Sequence, residues 1–357
     1  MKRIILLLAL ASVGAAHAQQ TASAAENTEV ESRLETLEKR AAAWEKIAAR
    51  LPRFSGYVQA GYQWNENAST FFLKRVRLTM AGDIMPKVDY RIQFEFTKPQ
   101  LVDAYVQYRP FRELNIKAGE YKIPFSIENT DYSPTRLEFI DYPLVLLKMM
   151  GFGEDLCGIS SSGRDLGATL WGGFIRRGSR SIINYDLGVF NGAGLNCKDS
   201  NKSKDIAARL TIKPVDGLLL SGSYYHGEYA AKGGPQHLLR ERYGAGVCYD
   251  RAAWVVRGEW IGGRTGRTDA EGRFDSDGWY VMAGWRAPRN FMPVARFDTF
   301  TQDRDRWTAT TQNNYTAGLL WAPVKHLRCQ INYTYEDYKD ASAPDRNVVS
   351  VMVTGMF

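Results

Sequence analysis

From residue 53 to the C-terminus, polar and apolar side chains alternate with a period of two in segments about ten residues long. Val88, Tyr90, Ile92, Phe94 and Phe96 alternate with Asp89, Arg91, Gln93 and Glu95. Val102, Ala104, Val106 and Tyr108 alternate with Asp103, Tyr105, Gln107 and Arg109. Cys329, Ile331, Tyr333 and Tyr335 alternate with Arg328, Gln330, Asn332, Thr334 and Glu336. Successive strand side chains point to opposite faces, so each segment has one oily face and one charged face. The pattern predicts strands over 53–64, 71–83, 87–97, 100–110, 113–122, 164–174, 181–190 and 204–213. It continues over 217–228, 240–250, 252–262, 276–287, 291–302, 311–322, 325–337 and 346–357, which makes sixteen.

The links between these strands sort by parity. After even-numbered strands they are tight turns, such as Met85-Pro86-Lys87, Pro110-Phe111-Arg112, Arg177-Gly178-Ser179 and Pro288-Arg289-Asn290. After odd-numbered strands they are mostly longer and polar, as in Gly263–Asp275 and Asp303–Thr310; the short Lys98-Pro99 link is the exception. Long loops gathered at one end, charges on one face and aromatic residues near the ends of the other predict a barrel in an outer membrane. In lipid the sheet must close, because no water is present to satisfy a free edge. The chain ends in Phe357, with Val349, Val351, Val353 and Gly355 on the same face. That pattern resembles the terminal signal by which outer-membrane barrels are recognised for assembly.

The N-terminus reads differently. Met1-Lys2-Arg3, the apolar run Ile4–Val13 and Ala16-His17-Ala18 form a bacterial export leader with cleavage expected before Gln19. Val30, Leu34, Leu37, Ala41, Trp44, Ala48 and Leu51 then follow heptad spacing, and Pro52 stops the helix. So short a seam either self-associates as a coiled coil or lies against the following domain.

Composition removes the other classes. With 45% hydrophobic and 12% aromatic residues the chain is not disordered. No segment beyond the leader approaches the roughly 18 apolar residues of a helical membrane span. Lys and Arg number 46 against 39 Asp and Glu, two of the basic residues lying in the leader, which does not argue for nucleic acid. The four His form no catalytic or metal-binding constellation, and the glycines form no phosphate-cradling loop before a helix, so neither an enzyme nor a cofactor is expected. The four Cys include no CxxC; Cys157 and Cys197 fall in adjacent external loops and could form a disulfide in an oxidising compartment. Cys248 and Cys329 face opposite sides of the wall and are expected to be free.

Several stretches are similar to landmarks of the phosphate-selective porin O/P family. They are Phe72-Leu73-Lys74-Arg75-Val76-Arg77-Leu78 with Gly82, and Gly119-Glu120-Tyr121-Lys122-Ile123-Pro124-Phe125-Ser126-Ile127-Glu128. Arg164-Asp165-Leu166-Gly167-Ala168 and Gly188–Gly194 follow in the family's order. The resemblance runs from about residue 53 to the end. It implies a general or anion-preferring pore of sixteen strands, a homotrimer in the outer membrane of a Gram-negative bacterium, and a third loop folded into the lumen.

The fold expected is therefore all-β: a sixteen-stranded antiparallel transmembrane β-barrel with a short N-terminal coiled-coil helix. Residues 1–18 are the signal peptide, 19–52 the polar segment and helix, and 53–357 the barrel, with the long third loop at about 123–163. A connection of that length signals a functional excursion into the pore, or else a surface cap. A short helix is expected within it near Pro134–Leu147. Strand phase turns Arg75, Arg77, Arg91, Arg109, Lys117, Arg209, Lys213, Arg257, Arg296 and Arg328 inward, with Asp89, Glu95, Asp103, Glu259, Asp298 and Glu336. The balance is cationic and favours small anionic or polar solutes. The candidate lining and constriction residues are Arg75, Arg77, Lys117, Lys122, Glu128, Asp131 and Arg136, while Arg91, Arg257 and Arg296 could equally brace the wall by pairing with inward carboxylates. The competing reading is an outer-membrane barrel enzyme or adhesin without pore activity; a soluble secreted β protein is opposed by the loop asymmetry and Phe357.

Overall fold

A computed structural model describes residues 33–42, 51–199, 201–231, 237–268 and 272–357. The chain divides into Met1–Leu51 and Pro52–Phe357. In the first unit a helix, α1, spans residues 33–42 and carries a Glu35–Lys39 ion pair one turn apart at 2.6 Å. The leader and Val30, Trp44 and Ala48 of the expected heptad seam lie outside the described residues, and Leu51 stands beyond the helix in a bend.

The second unit is a closed antiparallel barrel. Its strands are β1 (Arg53–Trp64), β2 (Ser69–Met85), β3 (Val88–Glu95), β4 (Gln100–Tyr108), β5 (Asn115–Lys122), β6 (Arg164–Arg177), β7 (Arg180–Phe190) and β8 (Asp205–Ile212). The circuit continues with β9 (Leu218–Tyr229), β10 (Leu238–Arg251), β11 (Trp254–Gly266), β12 (Arg273–Trp285), β13 (Phe291–Thr301), β14 (Thr311–Val324), β15 (Leu327–Tyr338) and β16 (Arg346–Met356). Each strand pairs with its sequence neighbours, and β1 closes on β16 from Tyr57↔Met356 to Trp64↔Val349. Beyond the last strand, Phe357 and Gly56 exchange both backbone hydrogen bonds at 3.0 Å. The Phe357 ring lies over Gly56, where a Cβ would stand 2.4 Å from the ring, so the seam needs a glycine there.

The period-two pattern sorts onto the two faces as expected. Trp254, Trp260, Trp279, Trp285 and Trp321 are exposed on the outer wall, and Arg77, Gln93, Arg257 and Arg296 are buried within. Outward rings neighbour one another across strands: Trp254–Trp285 and Phe291–Trp321 near the turn end, and Trp279–Phe297 and Phe297–Tyr315 nearer the loop end. These are two aromatic bands.

Register shifts interrupt the ladders at four places among the described residues, and two of them, between β1 and β2 and between β3 and β4, bear on the lumen. Between β1 and β2, Arg75 opposes Gln59 and Leu73 opposes Ala60, so Lys74 is the extra residue. Lys74 and Arg75 consequently both turn inward, Lys74 to Asp141 and Arg75 to Gln59 at 2.9 Å. Strict alternation had left Lys74 outside. Between β3 and β4 the extra residue is Val102, which is fully buried beside Asp103.

The connection from β5 to β6 forms two short helices, α2 (Ile127–Asp131) and α3 (Leu144–Met149). This corrects the expected helix near Pro134–Leu147. Pro143 has no N–H to give a helix interior and restrains the residue before it, so helix begins only after it. Upstream, Ser126 caps α2 by accepting from the Asn129 N–H.

Candidate functional site: a lumen narrowed by the third loop

The third loop leaves the wall at Lys122 and folds into the lumen; it does not cap the barrel. Asn129 donates to the carbonyls of Ile123 and Gly163, both at 3.0 Å, tying the start of the loop to its end. The underside is apolar. Phe125, Ile127, Leu137, Phe139, Leu144, Val145, Leu146 and Met149 share one buried cluster with Val255, Ile261, Met282, Val294 and Leu320 of the inner wall. Part of the lumen face of β11–β14 is thus oily, which draws the loop onto that side and leaves the opposite side open.

Charges then hold the loop in register. Arg257 of β11 is fully buried; it donates to Glu128 at 2.9 and 3.1 Å and to Glu138 at 2.6 Å, and lies over the Tyr132 ring. Its neighbour Glu259 accepts from the Ile127 and Glu128 N–H groups, the Ser126 hydroxyl and the Tyr280 hydroxyl. Arg296 pairs with Asp298 at 2.8 Å and donates to the Asp141 carbonyl, while Asp298 accepts from the Leu144 N–H. Arg328, Gln330 and Asn332 of β15 bond the loop backbone from Thr135 to Ile140. Asp131 pairs with Arg209 of β8. Arg91 likewise pairs with Asp103 at 3.1 Å, so the bracing role holds for Arg91, Arg257 and Arg296.

At the other wall Asp141 meets Lys74 of the β2 bulge. The surrounding protein pushes the Asp141 carboxyl up, but Lys74, Arg296 and Arg75 together hold it below the ordinary aspartate value of 3.8. A depressed carboxyl stabilises the seated loop above its ordinary value and ceases to do so as pH falls through the lowered one. This tether is therefore expected to hold at neutral pH and to loosen below about pH 3.8. Asp141 is half-exposed, so the loss is under about 1 kcal/mol. Open-channel current noise that rises on acidification in the parent, but not in Asp141→Asn, checks it.

The open side is a cavity of about 790 Å³ between the loop and the turn end of β1–β7. Of the sequence candidates, Lys117, Lys122 and Asp131 line it. Lys122 donates to the Tyr132 carbonyl at 2.7 Å, and Lys117 lies between the Tyr105 and Tyr121 rings. Arg75 faces the lumen beside Tyr142, whereas Arg77 is buried and paired with Glu95 at 2.8 Å. Glu128 is away from the cavity, beneath α2 on Arg257. Arg136 stacks on Tyr132 and lines a separate 310 Å³ recess with Arg180 and Lys213. Arg164, part of a family landmark but not among the lining candidates, lines the cavity and holds Asp103 at 2.8 Å. Its position at the junction of a charged strand with the long loop was the available signal.

The suggested disulfide is not formed. Cys157 is buried with its Sγ 3.5 Å from the Arg242 guanidinium of β10, whereas Cys197 is exposed and donates to the Leu195 carbonyl. Beside Cys197, Asn196 bonds Glu120 and the Leu101 carbonyl, which holds that loop against β4 and β5. The two thiols are thus committed to different walls.

Among known families, phosphate-selective porin O and P matches residues 46–233 and 224–357. The chain belongs to this family. It is an outer-membrane porin, a channel built by barrel closure around an inserted third loop. Solved structures share the fold over 86% of the chain. An anion-selective porin from Comamonas acidovorans matches with a TM-score of 0.67 and 13% identity over 99% of its own chain. The trimer form of OmpT from Vibrio cholerae matches at 0.64 and 11% over 99%, and the channel DcaP of Acinetobacter baumannii at 0.57 and 12% over 97%. No curated protein sequence matches the chain.

Proposed function

We propose that this porin passes small hydrophilic solutes by diffusion with a preference for anions, and works as a homotrimer after loss of the leader. The carrying observation is an imbalance of pairing. Around the passage Glu95, Asp103, Asp131, Asp141 and Asp298 each have a cationic partner. Lys117 and Lys122 line the cavity, Arg75 faces the lumen beside Tyr142, and Arg136 lines the second recess, each with no carboxylate in ion-pair contact among the described residues. Asp186 is the cavity carboxylate without such a partner. Paired charges cancel at a distance, so the field felt by a passing ion is set by the unpaired groups, in which the cations outnumber Asp186. The anion-selective porin from Comamonas acidovorans and the trimer form of the Vibrio cholerae protein support the same reading.

Reversal potential across a planar bilayer in a KCl gradient tests it. Chloride preference is expected in the parent. Lys117→Glu with Lys122→Glu should move the potential by tens of millivolts toward potassium. A cation-selective parent overturns the proposal. Trimers should appear as a heat-sensitive slow band on gel electrophoresis.

A further inference from the structure

The cavity holds three donors without hydrogen-bond partners, two of them on adjacent strands. Lys117 of β5 makes no hydrogen bond or ion pair among the described residues; its Nζ lies 4.9 Å from the Tyr105 ring centroid and 5.1 Å from that of Tyr121. Trp171 of β6 sits diagonally from it on the same inner face, since Lys117 opposes Thr169 and Asn115 opposes Trp171. The Trp171 Nε1–H is buried without a partner, and so is the hydroxyl of Tyr57, a side chain only 8% exposed on the same cavity. Buried donors without acceptors cost free energy that a bound acceptor returns. Most of the cavity lining is polar, but beside Lys117 the Tyr105, Tyr121 and Trp171 rings set apolar surface among those polar groups.

We propose that this vestibule is a binding subsite for aromatic monocarboxylates, the carboxylate held by Lys117 and the Trp171 N–H and the ring set against the tyrosine walls. The inference rests on the anion-preferring reading above and narrows it. Two features select this class over inorganic phosphate. At Lys117 the Tyr105 and Tyr121 ring faces offer no hydrogen bonds in place of the hydration shell of a phosphate dianion, whereas they match the body of an aromatic acid. Asp186, directly opposite Trp171 in the β6–β7 register, adds a negative charge that a monoanion tolerates better than a dianion.

The test measures chloride current through the full-length protein in planar bilayers while benzoate, cyclohexanecarboxylate or phosphate is added on the turn side. Benzoate is expected to block in the millimolar range, and phosphate to need at least about tenfold more. Lys117→Met should raise the half-blocking benzoate concentration about tenfold or more, and Trp171→Phe, which keeps the ring and removes the N–H, about threefold. Lys325→Met, on an exposed turn away from the cavity, should leave block unchanged. Equal block by benzoate and phosphate, or block unaltered in both Lys117→Met and Trp171→Phe, overturns the subsite. Equal block by cyclohexanecarboxylate overturns its aromatic character. An anion-selective channel that benzoate does not block removes this inference alone; a cation-selective channel removes the reading beneath it.

Discussion

Replacing Arg257 with methionine is expected to unseat the third loop and yield a larger, noisier conductance from a barrel that still assembles. Among the described residues Arg257 is the one cation in ion-pair contact with Glu128 and Glu138, and both carboxylates are buried with it. Burial pushes the Glu128 carboxyl up, and Arg257 is the strongest influence drawing it down. Removing one partner of a buried pair leaves uncompensated charge and costs about 3–5 kcal/mol. Glu128 and Glu138 lie in the loop and outside the strand ladders, so the penalty falls on the loop. The apolar underside and the remaining polar anchors from Glu259, Asp298 and β15 then compete with hydration of two carboxylates. Arg257→Met combined with Glu128→Gln and Glu138→Gln should recover part of the parent conductance, because neutral amides lower the burial penalty. Single-channel recordings, with limited proteolysis of the loop, check this. Parental conductance and parental protease resistance in the single variant would show that the apolar underside and the other anchors hold the loop without Arg257.

A second large effect is expected at Gly119, where valine should abolish barrel assembly. Gly119 opposes Tyr105 in the β4–β5 ladder with φ of 129°, a conformation that side chains rarely adopt. A Cβ there would lie 2.2 Å from the Ala104 carbonyl oxygen and 2.7 Å from the Tyr105 Cα. Both are backbone atoms of the neighbouring strand, so neither can swing aside as a side-chain tip would. The strained dihedral alone costs roughly 1–3 kcal/mol, and the collision adds to it by forcing β4 and β5 apart where the third loop departs. Gly222→Ala on β9 is the matched control, since its Cβ meets nothing within 4 Å. Folding yield in detergent, read by the mobility difference between boiled and unboiled samples, distinguishes them. Parental yield for Gly119→Val would mean the ladder yields more readily than its geometry implies.

The wall was legible because its rules are local. Alternation between Asp89 and Phe94, or between Arg328 and Ile331, states which face is wet, and pairing of adjacent strands follows from the tight turns between them. β1 at Arg53–Trp64 and β6 beginning at Arg164 coincide with the strand limits expected from the sequence. Lys74 shows where locality fails. A bulge is a property of two strands in register, and one strand's pattern does not reveal it.

The inside was only half legible. The inward phase of Arg91, Arg257 and Arg296 could be read, but whether each met solvent or a carboxylate could not. The partners of Arg257 lie 129 and 119 residues away. The apolar inner wall also left a trace, in Trp254-Val255-Val256 and Leu319-Leu320-Trp321, where both strand faces are oily near a turn. That trace marks the side of the lumen on which the loop settles.

By itself the sequence determined a membrane-spanning closed sheet, its strand count and the sign of the charges turned inward, since strand geometry and lipid impose those residue by residue. Only the tertiary structure decided which of those charges are cancelled, which wall the third loop covers, and where Lys117 and Trp171 stand unpartnered. Those outcomes depend on contacts between segments far apart in the chain, which a period-two pattern does not encode.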